Sequence, residues 1–421
     1  MKTKLAGLII ATVALASSAA ALASGSKTAF EQDRAELASI EKALQMSAST
    51  DVIFGNDFDQ AAAPSCTSDR DADRLNDCAE TATGRFVSRT DTGTSPDSAD
   101  TDGDGLLDGD EVLGTVEGLD LPALGTSALR RDVLLEYDWF DYAGECGQVS
   151  HRPSAGAIAR VTAMYAASPA RNPDGSTGVN VIHDFGQGGA QTGGNLVTGY
   201  SAIIQGALDL QYYEIKQKNF DPKRLGYFHY VLMAHRYNGG ANSSGYAEIV
   251  GDDMLVTLHC SRSDTNVGNT IAHELGHNLG LDHGGFEACN DKPNYNSIMN
   301  YRYQFAGVDA TCVASGSNAT ANFSSGDRLP LDESALNEPQ GVCGTQPIDW
   351  NRDGSMQAGL AYDLNAAQNG SCGGAMTRLE DFNDWNNLTY AGVLDKHGLL
   401  KNVQRKTGCA GAPAPTGEPA K

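Results

Sequence analysis

Apolar and polar positions change rhythm several times along this chain. An apolar run, Leu5 to Ala16, follows Lys2 and Lys4 and leads into small residues with Ala21-Leu22-Ala23 as an A-x-A cleavage site. That arrangement predicts a secretory signal peptide over 1–23, because the run is too short to span a bilayer. No later stretch is apolar enough to cross one. In "FEQDRAELASIEKALQM", Phe30, Leu37, Ile40 and Leu44 recur at helical spacing, so 24–65 reads as an N-terminal helical segment and a candidate pro-segment. From Cys66 to about Gly118 the apolar residues give way to Asp, Gly, Thr and Ser. A globular pattern begins near Arg130. "DVLLEYDWF" reads as a strand, "SAGAIARVTAMYAAS" as a helix and "GVNVIHDF" as a strand; "GYFHYVLMAHRY" and "EIVGDDMLVTLHC" are β-rich. A helix follows from about Val267 to Leu279. The order β, α, β, β, β, α predicts an α+β fold, a mixed sheet leading into one helix.

Charge narrows the partners. The 421 residues hold 30 Lys and Arg against 53 Asp and Glu, a formal net charge of −23. Such a polyanion repels nucleic acid and anionic lipid, so neither nucleic-acid binding nor membrane insertion is expected. Nine cysteines in an exported chain imply disulfides, and the odd number leaves one over. Short-range pairing suggests Cys66 with Cys78, Cys289 with Cys312 and Cys343 with Cys372, with Cys409 as the odd one. Nothing in the sequence fixes an oligomeric state.

The densest chemistry lies in "AHELGHNLGLDHGG" (272–285). On a helix His273 and His277, four apart, project from one face, and Glu274 points roughly 100° round from His273. Gly280 can adopt positive φ and end the helix, letting the chain turn back and deliver His283. Three neutral imidazoles leave the fourth position of a tetrahedral Zn²⁺ to water, whose pKa the metal lowers and whose proton Glu274 can take. A core or surface helix seldom spends three of nine histidines in this way.

The spacing H-E-x-x-H-x-x-G-x-x-H resembles that of the metzincin zinc endopeptidases, which carry it together with a methionine-bearing turn. "KPNYNSIMNYRYQ" supplies a methionine, Met299, sixteen residues after His283. The resemblance covers roughly 130–303 and is carried by these two motifs. It implies zinc ligands His273, His277 and His283, the base Glu274, a floor at Met299, and a metzincin-like domain with a mixed, twisted sheet and an active-site helix. It also implies an edge strand that pairs with extended substrate, within "GDDMLVTL", and a second catalytic residue at Tyr301. Tyr303 then reads as a tyrosine packed under the site with its hydroxyl in water. The residue after the third histidine, Gly284, departs from the Ser, Pro, Glu and Asp types, which leaves the branch open. No PRCGxPD-like cysteine switch is present; Asp57 and Cys66 are weak substitutes, more simply read as a loop acid and a disulfide partner.

The acidic region contains a repeat. "DRDADRLNDCAE" begins at Asp69 and "DTDGDGLLDGDE" at Asp100, 31 residues later. In the second copy Asp100, Asp102, Asp104, Asp108 and Glu111 occupy positions 1, 3, 5, 9 and 12 of a calcium loop, Gly105 is the turn glycine and the Leu106 carbonyl completes the set. The first copy offers Asp69, Asp71, Asp73, Leu75, Asp77 and Glu80, but has Arg74 in the glycine's place. Both copies look like thrombospondin type-3 repeats, which implies calcium-stiffened spacers. "DWNRDGS" starts a third such loop with Asp349, Asn351 and Asp353; its twelfth position is Leu360, so Asp363 would have to close it.

Taken together the chain reads as signal peptide 1–23, helical segment 24–65, acidic calcium-binding repeats 66–125, zinc protease domain 126–310, loop-rich C-terminal subdomain 311–405 and tail 406–421. The function expected is a secreted, calcium-stabilised zinc endopeptidase acting on protein or peptide substrates. The alternative is a calcium-dependent adhesive protein whose protease-like domain is inactive.

Overall fold

The computed structural model describes residues 66–237, 243–316, 319–366 and 375–390, and the backbone of the pair 404–405. The signal peptide, the 30–46 helix, Asp57, Cys372, Cys409 and the tail after 405 lie outside the described residues.

The centre is one mixed sheet. Strands β1 (Asp132–Trp139), β4 (Asn180–Asp184), β6 (Phe228–Met233) and β9 (Asp253–Val256) run parallel, and β8 (Gly245–Ile249) pairs antiparallel with β9. From one side the order is Gln404–Arg405, β8, β9, β6, β1, β4. Val133 faces Val181 and Leu134 faces Phe228 in register. Parallel strands are covered on both faces, so they read as nearly continuous apolar runs. Here alternate residues feed two cores. Val133, Leu135, Tyr137, Val231, Met233, Met254 and Val256 pack into one. Leu134, Phe228, Tyr230, Leu232 and Leu255 pack into the other. At about 25 cal/mol per Å² of apolar surface removed from water, these two layers are the main source of stability.

Among the helices, α1 is Asp108–Leu113 and α2 is Leu121–Leu124, both in the acidic region. On the first core lie α3 (Ala155–Ala166) and α5 (Asp264–Asn278), capped by Ser154 and Ser263; the Ser154 hydroxyl also donates to Asp264 at 2.5 Å, tying the two N-termini together. The second core is covered by α4 (Leu210–Asn219). That helix was not expected. Its sequence "LQYYEIKQKN" shows no clear apolar stripe because Lys216 is buried with Tyr212, Tyr213 and Ile215, paired to Asp253. The hairpin β2 (Asp141–Gly144) and β3 (Gly147–Ser150) is a second addition to the expected order. Two short strands, β5 (Ile203–Ile204) and β7 (Arg236–Tyr237), pair beside the sheet.

One expectation is overturned at the sheet edge. "GDDMLVTL" forms β9, an interior strand between β6 and β8 whose four residues are all buried. The edge role falls to β8, whose burial is interrupted at Tyr246 and Ile249. Among the described residues, the outer side of β8 is paired only at Glu248 and Ile249, by Arg405 and Gln404.

The disulfides also differ. Cys66–Cys78 forms, which removes Cys66 as a latency thiol, and Cys146–Cys260 is a long-range bridge that local spacing could not suggest. Cys312 pairs with Cys343, not Cys289, so Cys343 is not bonded to Cys372. The Asp309 carboxylate collects the amides of Thr311 and Ala314 and the Arg328 guanidinium, and in the turn so made Cys312 comes within 5.9 Å Cα–Cα of Cys343. Three disulfides among the described residues fit an exported protein, and no described helix is long and apolar enough to cross a membrane.

The acidic region is not a free spacer. Leu106, Leu121 and Leu124 belong to the second core, Leu75, Val112 and Ala128 form a small cluster of their own, and the Tyr227 hydroxyl donates to Asp110 at 2.8 Å.

Candidate metal centre

Helix α5 carries His273, Glu274 and His277, all buried. Its end is set by Gly280, whose φ of 98° sends the chain back; the Leu281 amide donates to the Gly276 carbonyl at 2.9 Å. The reversal brings the His283 Nε2 to 3.2 Å from the His277 Nε2. A ligand nitrogen from each of His273, His277 and His283 falls in one group with mutual distances within 4.8 Å. Two rings are held from behind. His273 Nδ1 donates to the Ile298 carbonyl and His277 Nδ1 to the Leu281 carbonyl, each at 2.7 Å. A proton on Nδ1 leaves the Nε2 lone pair facing inward, the tautomer a metal requires. Burial, with His277 beside it, pushes the His273 pKa well below the usual imidazole range. The donor set therefore suits a borderline divalent ion such as zinc.

Glu274 is fully buried and neither carboxylate oxygen has a hydrogen-bond partner, so burial pushes its pKa well above the usual range. Such an orphaned acid is costly unless something else meets it. Its neighbour is the backbone of the edge strand: a Cβ built on Gly245, the first residue of β8, would stand 2.2 Å from Glu274 Oε1.

Met299 is fully buried against the helix, and a Cβ on Gly276 would lie 2.4 Å from its sulfur. The turn that holds it is pinned by Asn300, whose side chain donates to the Lys292 and Tyr295 carbonyls and accepts from Arg302 N as cap of α6 (Tyr301–Gln304). Tyr301 is half-buried, its ring 4.5 Å from that of His283 and 6.0 Å from that of His273. Tyr303 departs from expectation: it is buried and its hydroxyl donates to the Pro293 carbonyl at 2.6 Å, not to water. Gly284 has a steric reason. A Cβ there would stand 2.4 Å from the Cys289 carbonyl oxygen, and its own carbonyl accepts from buried Lys292 at 2.8 Å.

The acidic loops repeat one backbone geometry. In each, the first aspartate accepts from the amide five residues on: Asp69 from Arg74, Asp100 from Gly105, Asp349 from Gly354. Positions 4 and 6 have positive φ in all three, at Ala72 and Arg74, Gly103 and Gly105, and Arg352 and Gly354. Arg74 thus takes the glycine conformation, and its guanidinium bonds Asp110 and, at 2.7 Å, the Gly114 carbonyl. Leu75 and Leu106 each donate their amide to the aspartate two before them, Asp73 and Asp104, at 2.7 Å.

The first two loops interlock. Asp108 gathers with Asp73 and Glu80 of the earlier copy, ligand oxygens within 4.8 Å, and the Gly109 amide donates to Asp73. Asp77 instead accepts from Arg70. Burial is the main cause of the raised carboxyls here: Asp73 to about 6, Glu80 to about 7, Asp108 to about 7 and Asp102 to about 9. Asp71, Glu80 and Asp102 keep buried oxygens with no hydrogen-bond partner. Glu111 is buried as well. Oxygen-only groups of this density can hold a hard cation. Sequence reasoning missed Asp132, at the start of β1. It is buried, its amide donates to Asp104 at 2.6 Å, and burial raises its carboxyl to about 6. The repeat register carries no signal for it.

The third loop differs. Asp353 is exposed and one of its oxygens accepts from Asn351 and Gln357 side chains, at 3.0 and 2.6 Å, while the Asp363 carboxylate accepts from Asn365 N at 3.2 Å.

No known protein family, curated protein or solved structure matches the chain.

Proposed function

We propose that the protein is a secreted zinc-dependent endopeptidase of metzincin type, stabilised by calcium. The observation that carries this reading is the meeting of three inward-facing imidazoles with a buried, unpartnered carboxylate at the first residue of an edge strand. His273, His277 and His283 would hold the ion, which when bound activates water and polarises a carbonyl. Glu274 takes the proton of the attacking water and passes it to the leaving amine. Strand β8 offers backbone groups to an extended substrate, which orients the scissile carbonyl toward Glu274 and the histidines. Tyr301, whose ring lies 4.5 Å from that of His283, would donate to the oxygen on which charge builds. The carboxylates of Asp73, Glu80, Asp108 and Asp102, all buried, would hold calcium in the two interlocked loops, which would offset the repulsion among them.

The test is cleavage of a denatured protein mixture by the purified protein. Activity that disappears on stripping with a zinc chelator and returns with Zn²⁺ supports the reading. No cleavage by the zinc-loaded protein, across a broad substrate mixture, favours the adhesive alternative.

A further inference from the structure

Away from the centre just described, two other histidines meet a carboxylate and a third backs one of them. β6 and β9 are parallel neighbours, so the residues that follow them emerge at the same end of the sheet, where ligand sites of parallel sheets commonly form. His235 follows β6, His259 follows β9, and the His259 amide donates to the His235 carbonyl at 3.1 Å. The β2–β3 hairpin hangs over this end and puts Glu145 in its turn. His235 Nε2 lies 3.1 Å and His259 Nε2 2.6 Å from the same oxygen, Glu145 Oε1.

Several features hold this arrangement in place. The Cys146–Cys260 bridge joins the chain neighbours of Glu145 and His259, across 114 residues of sequence. His259 has a φ of 55°, a left-handed conformation that costs a non-glycine residue energy and is found where surroundings impose it. His235 is fully buried, stacked on Tyr142 at 3.7 Å between ring centroids, and its Nδ1 is 3.2 Å from His151 Nε2. A metal-binding imidazole is commonly oriented through its second nitrogen in this way.

His259 Nε2 faces the Glu145 carboxylate at 2.6 Å and also lies against the Arg236 guanidinium, so the imidazole nitrogens of His235 and His259 converge on one carboxylate oxygen. We propose that His235, His259 and Glu145 form a second metal site for zinc or a similar borderline divalent ion, with His151 orienting His235. Two imidazoles and one carboxylate suit such an ion better than calcium, and the disulfide sulfurs are not thiolates. Solvent completes the coordination, since Glu145 is exposed and His259 half-buried. Arg236 gives up its contact with His259 on loading and stays paired with Glu145. The ion would tie the hairpin to the ends of β6 and β9.

The experiment counts zinc. The mature protein, disulfides intact, is stripped with a chelator, dialysed against Zn²⁺ with excess Ca²⁺, and its metal content measured by mass spectrometry. Two zinc ions per chain are expected, falling to one in His259→Ala and in Glu145→Gln, with an unchanged near-ultraviolet dichroism confirming the fold. His273→Ala is the separate control: it should also hold one ion, and the double variant none. If His273→Ala keeps two ions while His259→Ala loses one, the reading of the first centre fails and this one stands. If His259→Ala and Glu145→Gln both bind as many ions as the parent, whether one or two, the cluster is an ion-pair network and the proposal is overturned.

Discussion

The sulfur of Met299 occupies the space that a side chain on Gly276 would need, 2.4 Å from where a Cβ would stand. The rigid Phe323 ring closes the same space from 2.9 Å. This contact explains why a glycine sits between the two helical histidines, in the middle of a helix where glycine is normally unfavourable. Gly276→Ala should gain roughly 1 kcal/mol of helix propensity and lose about 1–3 kcal/mol to overpacking. We expect a net loss, read as a lower urea midpoint, together with weaker zinc retention. A raised midpoint would mean that Met299 and Phe323 do not press on the helix.

The buried His183 sets a pH dependence away from the metal groups. Thr162 Oγ1 donates to the Ile158 carbonyl, so it accepts from His183 Nε2–H, and His183 Nδ1 accepts from the Tyr137 hydroxyl at 2.7 Å. Burial lowers this imidazole from 6.5 to about 4. Because the folded pKa is depressed, the unfolded chain binds the proton first. The stability is therefore fully present above about pH 6.5 and is lost as pH falls toward 4. Between pH 7 and 4.5 the loss should be about 2–3 kcal/mol, at 1.36 kcal/mol per unit. Urea unfolding of the parent and of His183→Gln checks it: the parent should lose this much more than the variant, and equal losses would remove His183 from the effect.

Calcium removal should open the region from Cys66 to Leu119 before it affects the histidine centre. Within that region Leu75 and Val112 pack in a small cluster with Ala128 and Leu106 reaches the second core, so the repelling carboxylates have little to oppose them. Limited proteolysis with a calcium chelator should cut there. Asp108→Asn should weaken calcium binding in the first loop as well as the second, because its oxygens lie with Asp73 and Glu80. Calorimetry showing a change confined to the second loop would contradict the interlocking.

Tyr301 and Tyr303 should behave differently for reasons of geometry. Loss of an oxyanion donor costs ~2.7–4 kcal/mol at comparable sites, so Tyr301→Phe should lower kcat about 10²–10³-fold with little change in KM. Tyr303→Phe removes the bond to Pro293 and should instead lower stability by roughly 1 kcal/mol with kcat unchanged. A fully active Tyr301→Phe would assign the oxyanion to another donor.

What was legible in the sequence was what depends on local spacing. The helix period placed His273, Glu274 and His277, and the apolar, β-rich runs placed β1, β4, β6 and β9. Position-by-position matching of the acidic loops also found their register, but not that Arg74 would take the turn conformation expected of glycine, since a side chain at that position argued against it. Features that depend on contacts far apart in the chain were not legible. Helix α4 hid behind Lys216, which is apolar in environment only because Asp253 meets it. That β8 rather than β9 carries the largely unpaired outer side follows from strand pairing, and the Met-Leu-Val run of β9 points inward because it is buried on both faces. Asp132 and the His235–His259–Glu145 cluster carry no motif, since their members are brought together by the sheet.

The central claim is that Glu274 acts as the base beside a metal held by three histidines, and Glu274→Gln tests it most directly. The substitution keeps the shape of the side chain and leaves all three imidazoles in place. Zinc content and peptide-bond cleavage should be measured on the same sample. The account predicts unchanged zinc at this centre and a rate lower by about 10²–10⁴, the usual contribution of a general base. A variant that cleaves as fast as the parent would contradict it.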